Sequence, residues 1–153
     1  MRIAVGSDHR GVHVRQRVTE LLRSLGQEVV DLGIGEHEEV DYPEIAAAVA
    51  AKISSGEVER GVLVCRTGLG MCIVANKFPG VRAAPCHDEL TVEIARRHND
   101  LNVLCLSGEI LGERSVDRLV ELWLKTDFEG GRHARRVQKI LEFENHNGQS
   151  GKT

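Results

Sequence analysis

Short apolar runs of about five residues alternate with amphipathic helical patterns along almost the whole chain, and this alternation restricts the fold more than any other feature. Residues 2–6 (RIAVG) are an apolar, strand-like run that ends at Gly6, Ser7 and Asp8. Residues 12–25 then place Val14, Val18, Leu21, Leu22 and Leu25 at helical spacing, and Gly26 stops the pattern. A second strand is expected at 28–32, followed by a loop of glycines and acidic residues. Pro43 opens an Ala-rich helix reaching about Ile53. Residues 61–65 (GVLVC) form the third and most hydrophobic strand, then a turn (RTGLG) and a short helix through Ala75. A fourth strand is expected at 81–84. Asp88 suits the cap of a helix reaching Arg97, and a fifth strand lies at 102–106. A helix from Glu113 to Leu124, a Gly-Gly hinge at 130–131 and a last helix from Arg132 to Glu144 complete the pattern.

Right-handed crossovers turn such a series into one parallel sheet with helices on both faces, an α/β architecture. Residues 1–145 are expected to form a single domain, with a polar, frayed tail over 146–153. The chain of 153 residues is long enough for one real core. A net charge of −3 gives no global positive field for nucleic acid or an anionic membrane. Only five residues are aromatic (Tyr42, Phe78, Trp123, Phe128 and Phe143), too few for a platform that stacks single-stranded bases. The opening MRIAVGSDH reads as a strand rather than a leader peptide, and no apolar stretch reaches membrane-spanning length, so a cytoplasmic protein with reduced thiols is expected.

Ligands of open parallel sheets bind beyond the carboxyl ends of the strands. That rule selects Gly6-Ser7-Asp8-His9, Cys65-Arg66-Thr67-Gly68-Leu69-Gly70, Cys86-His87-Asp88 and Ser107-Gly108-Glu109. The glycine turn after Cys65 lets backbone N–H groups face a phosphate or a developing oxyanion. It is neither a Walker A loop nor a dinucleotide fingerprint. Cys65, at a strand's carboxyl end beside Arg66 and an amide-rich turn, is the cysteine placed to react. Cys72 and Cys105 read as packing, and nothing marks Cys86 as reactive. No Cys pair has C-x-x-C spacing, so neither a zinc knuckle nor a thiol–disulfide oxidoreductase is supported. Asp8-His9 can transfer protons or cap a helix, and His98-Asn99 ends a helix where a His also complements the dipole. Arg132 and Arg136 share one helical face and can clamp a phosphate or simply be solvated. Tyr42, just before Pro43, is either a site wall or a helix-start staple. His13, His37 and His146 read as surface residues. Spacing alone thus predicts an α/β domain for a small anionic ligand and names no reaction.

Six motifs in order carry more: GSDHRG at 6–11, DYP at 41–43, C-x-TG-x-G at 65–70, ANKFPGVRAA at 75–84, RRHND at 96–100 and GGRH at 130–133. Together they resemble the sugar-phosphate isomerase family of ribose-5-phosphate isomerase B and the galactose-6-phosphate isomerase subunits. The resemblance runs from residue 3 to about residue 144. It implies a Rossmann-like three-layer α/β/α sandwich with a five-stranded parallel sheet. It also implies aldose–ketose isomerisation of ribose 5-phosphate and ribulose 5-phosphate through a cis-enediolate, without metal or organic cofactor. By the same resemblance Cys65 is the base, and the turn at 66–70, with Arg66, Gly68 and Gly70, holds the enediolate oxygen. Asp8, Thr67 and His98 open the sugar ring. His9, Arg132 and Arg136 clamp the phosphate, and Tyr42 and Asn99 line the site. His98 and Asn99 come from a partner subunit, which implies a homodimer with shared sites, possibly paired into a tetramer.

Two positions depart from the family pattern. Arg66 stands where a small residue is common, and Glu109 stands where many members have an Arg that contacts phosphate. A carboxylate base of other branches is matched here by Met71. A four- or six-carbon aldose phosphate as substrate and a non-catalytic sugar-phosphate sensor are the competing readings.

Overall fold

The computed structural model describes residues 1–35 and 38–150. The elements in chain order are β1 (Arg2–Ser7), α1 (Val12–Ser24), β2 (Glu28–Asp31), α2 (Tyr42–Ser54), β3 (Arg60–Cys65), α3 (Leu69–Ala75), β4 (Ala83–Pro85), α4 (Glu89–Asn99), β5 (Val103–Ser107), α5 (Glu113–Lys125) and α6 (Arg132–Ser150). The five strands form one sheet in the order β2-β1-β3-β5-β4, and every pairing is parallel. The expected α/β sandwich is therefore the observed one.

Strand alternation sorts the core into two halves. Ile3, Val5, Val62, Val64, Leu104 and Leu106 point to one face and pack with α1, α4 and α5, around the fully buried Trp123. Ala4, Leu63, Cys65, Val103 and Cys105 point to the other face and meet α2 and α3. The runs read as continuously apolar because both faces are covered. Each fully buried Val or Leu of this kind contributes roughly 1.5–3 kcal/mol.

Local chemistry sets the helix ends. Asp88 caps α4, its Oδ1 accepting the Thr91 N–H at 2.8 Å. Arg96, Arg97 and His98 occupy the last turn of α4, where positive charge complements the helix dipole. Asp100 then adopts φ 49°, held by ion pairs to Arg96 at 2.9 Å and Arg82 at 3.2 Å.

Several boundaries differ from the sequence reading, most of them by one or two residues; β4, for example, begins at Ala83 rather than at residue 81. Tyr42 is the first residue of α2 rather than part of the loop before it, because Asp41 takes the extended N-cap conformation. Helix α4 runs to Asn99, past Arg97. Helix α6 continues to Ser150 instead of ending at Glu144. The expected frayed segment is thus helical through most of its length, and Glu144 is tied to the body through the Gly80 N–H at 3.0 Å. Residues 151–153 lie outside the described residues.

The order of strands creates the site. From β1 the chain crosses by α1 to β2 on one side, and from β2 by α2 to β3 on the other. The carboxyl ends of β1 and β3 therefore border a crevice with loops leaving in opposite directions.

Candidate active site

At this crevice the backbone does most of the building. Asp8 follows β1 and is 6% exposed. Its own N–H donates to the Val64 carbonyl at 3.3 Å, which ties the loop after β1 to β3. Its Oδ1 accepts the N–H groups of Arg10 (3.0 Å) and Gly11 (3.2 Å), fixing the carboxylate against the start of α1. His9, on the same loop, is exposed.

Cys65 is the last residue of β3 and 5% exposed. The Gly68 N–H donates to its Sγ at 3.1 Å. Gly68 can hold this position because it adopts φ 80°, and an added Cβ would lie 3.3 Å from the Leu106 carbonyl oxygen. Thr67 turns its Oγ1 back to accept the Leu69 N–H at 3.3 Å. The Tyr42 ring lies over Gly70, so close that a Cβ there would fall 2.6 Å from ring carbon atoms. The structure thus brings Asp8, Tyr42, Cys65, Thr67, Gly68 and Gly70 to one edge of the sheet.

Ser107 locks this edge, a role its place at a strand end does not announce. Fully buried, it donates to the Arg66 carbonyl at 2.6 Å and accepts the N–H groups of Ile110 (2.8 Å) and Glu109 (3.2 Å). Gly108 donates to the Cys65 carbonyl at 2.8 Å. The loops after β3 and β5 therefore hold each other. Arg66 and Glu109, the two departures from the family pattern, pair with each other at 2.5 Å. With Arg10 and Gly108 they line a cleft of about 240 Å³.

The remaining expected residues collect elsewhere. His98 and Asn99 end α4, and α4 leads into β5, so they sit at the amino-terminal edge of the sheet. Cys65 is at the carboxyl edge, the length of a strand away, roughly 17–20 Å. His98 stacks on His133 with ring centroids 4.0 Å apart and planes 6° from parallel. Arg132 and Arg136 flank His133 from exposed positions on α6. Asn99 lines a groove of about 450 Å³ with Ile140, Phe143 and Glu144 of α6, and none of the residues at the carboxyl edge reaches it.

Glu129 joins this second group. Arg97 binds its Oε1, with Nε at 2.6 Å, and so holds the carboxyl below its usual range. Its Oε2 lies 3.4 Å from His133 Nε2 and 4.0 Å from His98 Nε2. Burial, helped by the neighbouring His98 and Arg132, pushes the His133 imidazole below its ordinary pKa. Neither Glu129 nor His133 carried a role in the sequence reading. The one signal for them is a carboxylate directly before the Gly-Gly hinge and a His two residues after it.

His98, Glu129 and His133 are the group of potential metal ligands among the described residues, with donor atoms within 4.8 Å of one another. Imidazole lone pairs lie in the ring plane. Two parallel stacked rings point them side by side, and an ion between the rings would lie far out of both planes. The stacked arrangement does not favour an ion shared by the two rings.

The other cysteines are packed as expected. Cys72, Cys86 and Cys105 are buried, and burial pushes the Cys86 thiol up to about 12. The Cys105 thiol is raised by its hydrogen bond with Cys72 and by burial. His13 and His146 are exposed, and His37 lies outside the described residues. No helix among the described residues is long and apolar enough to cross a membrane.

This arrangement of strand ends, glycine turn and stacked histidines can be set beside known proteins. The family model described as Ribose/Galactose Isomerase matches residues 3–140. The chain belongs to the ribose/galactose isomerase family. The ribose-5-phosphate isomerase B of Escherichia coli is 40% identical over 143 residues, covering 94% of this chain and 96% of that protein. The D-erythrulose-4-phosphate isomerase of Pectobacterium atrosepticum is 37% identical, covering 94% and 95%. The structure of Clostridium thermocellum ribose-5-phosphate isomerase B superposes with a TM-score of 0.93 at 44% identity, over 96% of this chain and 99% of that one. That of the Mycoplasma genitalium enzyme with bound ribulose-5-phosphate gives 0.91 at 40% identity, over 94% and 96%. A member of this family is an isomerase, and the Rossmann-like sandwich expected from the resemblance is the fold these structures share with the chain.

Proposed function

We propose that the chain interconverts ribose 5-phosphate and ribulose 5-phosphate through a cis-enediolate, with Cys65 as the base. The observation that carries this reading is the Cys65 sulfur at the end of β3, receiving the Gly68 N–H inside a turn rich in backbone amides. A carbon acid beside a carbonyl is weak, so its removal needs a base and donors waiting at the developing oxyanion. Cys65 takes the proton from C2 of the open-chain aldose and returns it to C1, while a proton moves from O2 to O1. The amides of residues 66–70 face the enediolate oxygens.

Asp8, Thr67 and His98 serve ring opening, His9, Arg132 and Arg136 hold the phosphate, and Tyr42 and Asn99 line the site. Arg66 neutralises Glu109, so the acidic residue does not confront the phosphate as a bare charge. Holding the phosphate far from C1 and C2 keeps the open chain in its reactive geometry.

This assignment needs two copies of the chain. Cys65 and His98 occupy opposite edges of one sheet, so a single chain cannot close both around one five-carbon sugar. A homodimer with shared sites satisfies the geometry. The apolar side chains that α3 presents next to the glycine turn, Leu69 (53% exposed) and Ile73 (63% exposed), support a covering partner there. A cytoplasmic location fits such a substrate.

One relative named for a four-carbon sugar phosphate favours a second reading, the same chemistry on a shorter substrate. A panel of ribose 5-phosphate, erythrulose 4-phosphate and galactose 6-phosphate, compared by kcat/KM, tests the assignment. Highest kcat/KM for ribose 5-phosphate supports it, and a preference for another sugar replaces it. Tight binding with no exchange of solvent protons into the sugar identifies a sensor instead.

A further inference from the structure

The turn at Gly130 and Gly131, with φ of 68° and 56°, folds the chain back so that Glu129 and His133 both reach the end of α4. The Glu129 N–H donates to the Arg97 carbonyl at 3.0 Å, and the Arg97 side chain holds Oε1. Oε2 is left facing the Nε2 edges of His133, at 3.4 Å, and of His98, at 4.0 Å. A negative oxygen beside Nε2 favours the tautomer that carries its proton there, because an N–H rather than a lone pair must face it. In a neutral ring the second nitrogen, Nδ1, is then the proton acceptor. Two charged imidazoles stacked at 4.0 Å would repel each other. His133, 5% exposed, is the member that burial keeps neutral.

We propose that Glu129, held by Arg97, is a positioning residue for His98, setting the tautomer and plane of the imidazole that opens the sugar ring, with His133 as the neutral surface on which that imidazole lies. The proposal rests on the reading of His98 as a ring-opening residue. In that step the C1–O4 bond breaks, the O1–H proton leaves as the C1=O1 double bond forms, and O4 takes up a proton. No oxidant or reductant is involved. The imidazole relays the proton, and its direction depends on which nitrogen carries one. Enolisation at the opposite end, by Cys65, does not depend on Glu129.

The test uses the full-length protein and two variants. Glu129→Gln keeps the size of the side chain and removes its charge. Arg97→Gln releases the carboxylate from an exposed residue of α4, where a folding defect is not expected. Two rates are read for each: turnover of ribose 5-phosphate, which enters as a ring, and deuterium incorporation from solvent at C1 of ribulose 5-phosphate, which has no ring to open. Both variants are expected to lose at least about tenfold in kcat/KM for ribose 5-phosphate while exchange stays within about twofold of the native rate. A Glu129→Gln protein that turns over ribose 5-phosphate at the native rate overturns the proposal. So does a parallel loss of both rates in either variant, which marks a merely structural contact. Native protein that shows neither turnover nor exchange overturns the functional reading itself, before any variant is compared.

Discussion

The two ends of the sheet present the same kinds of residue in different ways. At the carboxyl edge the loops after β1, β3 and β5 are joined by backbone hydrogen bonds and by the buried Ser107 hydroxyl, and Cys65 and Asp8 are held within them. At the amino-terminal edge the assembly is made by side chains: a stacked histidine pair, a carboxylate facing the edges of both rings and an arginine on the carboxylate. The first construction is uncharged for the most part and stiff. The second is charged, partly solvated and open to titration. Stabilising a developing oxyanion calls for donors that do not reorganise, whereas moving protons on and off sugar oxygens calls for groups that change charge. On the proposed reading the first end carries the enolising Cys65 together with Asp8, Thr67 and His9, and the second adds His98, Arg132 and Arg136 to ring opening and to the phosphate.

The largest effect should come from the carboxyl edge. Cys65→Ala is expected to lower kcat for ribulose 5-phosphate formation by about 10²–10⁴-fold with little change in melting temperature. Activity near the native level would remove Cys65 as the base. Mixing that variant with His98→Gln joins the two ends again. If each site takes Cys65 from one copy and His98 from the other, a mixed dimer has one intact site. Random reassembly should then recover about a quarter of native activity from two nearly inactive proteins. No recovery after verified subunit exchange would place both residues in one chain's site or remove His98 from the chemistry.

Smaller effects separate stiffness from charge. Gly68→Ala forces an L side chain into φ 80° and against the Leu106 carbonyl. A loss of roughly 1–2 kcal/mol is expected in urea unfolding, together with reduced kcat. Arg66→Ala breaks a pair whose members are both more than half exposed, so stability should change by less than about 0.5 kcal/mol. Its signature is kinetic: KM should rise because Glu109 is left uncompensated near the phosphate, and double replacement with Glu109→Ala should restore it.

The smallest effect is a pH dependence at the other end. The folded-state pKa of His133 is below the ordinary 6.5, so the unfolded chain binds this proton more readily. Its contribution to stability is present above about pH 6.5 and is lost as pH falls through the lower folded value. His133→Gln should flatten the fall in melting temperature between about pH 7 and 5, and an unchanged slope would assign that fall to other groups.

Much of the fold was legible because apolar runs and helix signals report local requirements. Every strand and helix appears within a few residues of its expected place. The largest miss is the end of α6, whose polar residues past Glu144 stay helical. No Gly or Pro follows Glu144 before Gly148, so the sequence offers no stop there. The carboxyl-edge residues were legible for a related reason. A parallel sheet places all its strand ends together, so Asp8, Cys65, Thr67 and the glycines become neighbours from element order alone.

The amino-terminal edge was not legible in that way. His98, Glu129 and His133 come from the end of one helix, a loop and the start of another, and no periodicity joins them. Arg66 and Glu109 stand in the sequence as two separate departures from the family pattern, and only the fold makes them a pair across the ends of β3 and β5. The amino-acid sequence by itself determined the α/β alternation, the buried faces and the glycine turn behind Cys65, because each depends on residues near in the chain or on strand periodicity. Only the tertiary structure decided which charges meet and that the expected site is divided between opposite edges of the sheet, because ion pairs and ring stacking depend on approaches of a few ångströms between segments whose separation in sequence carries no signal.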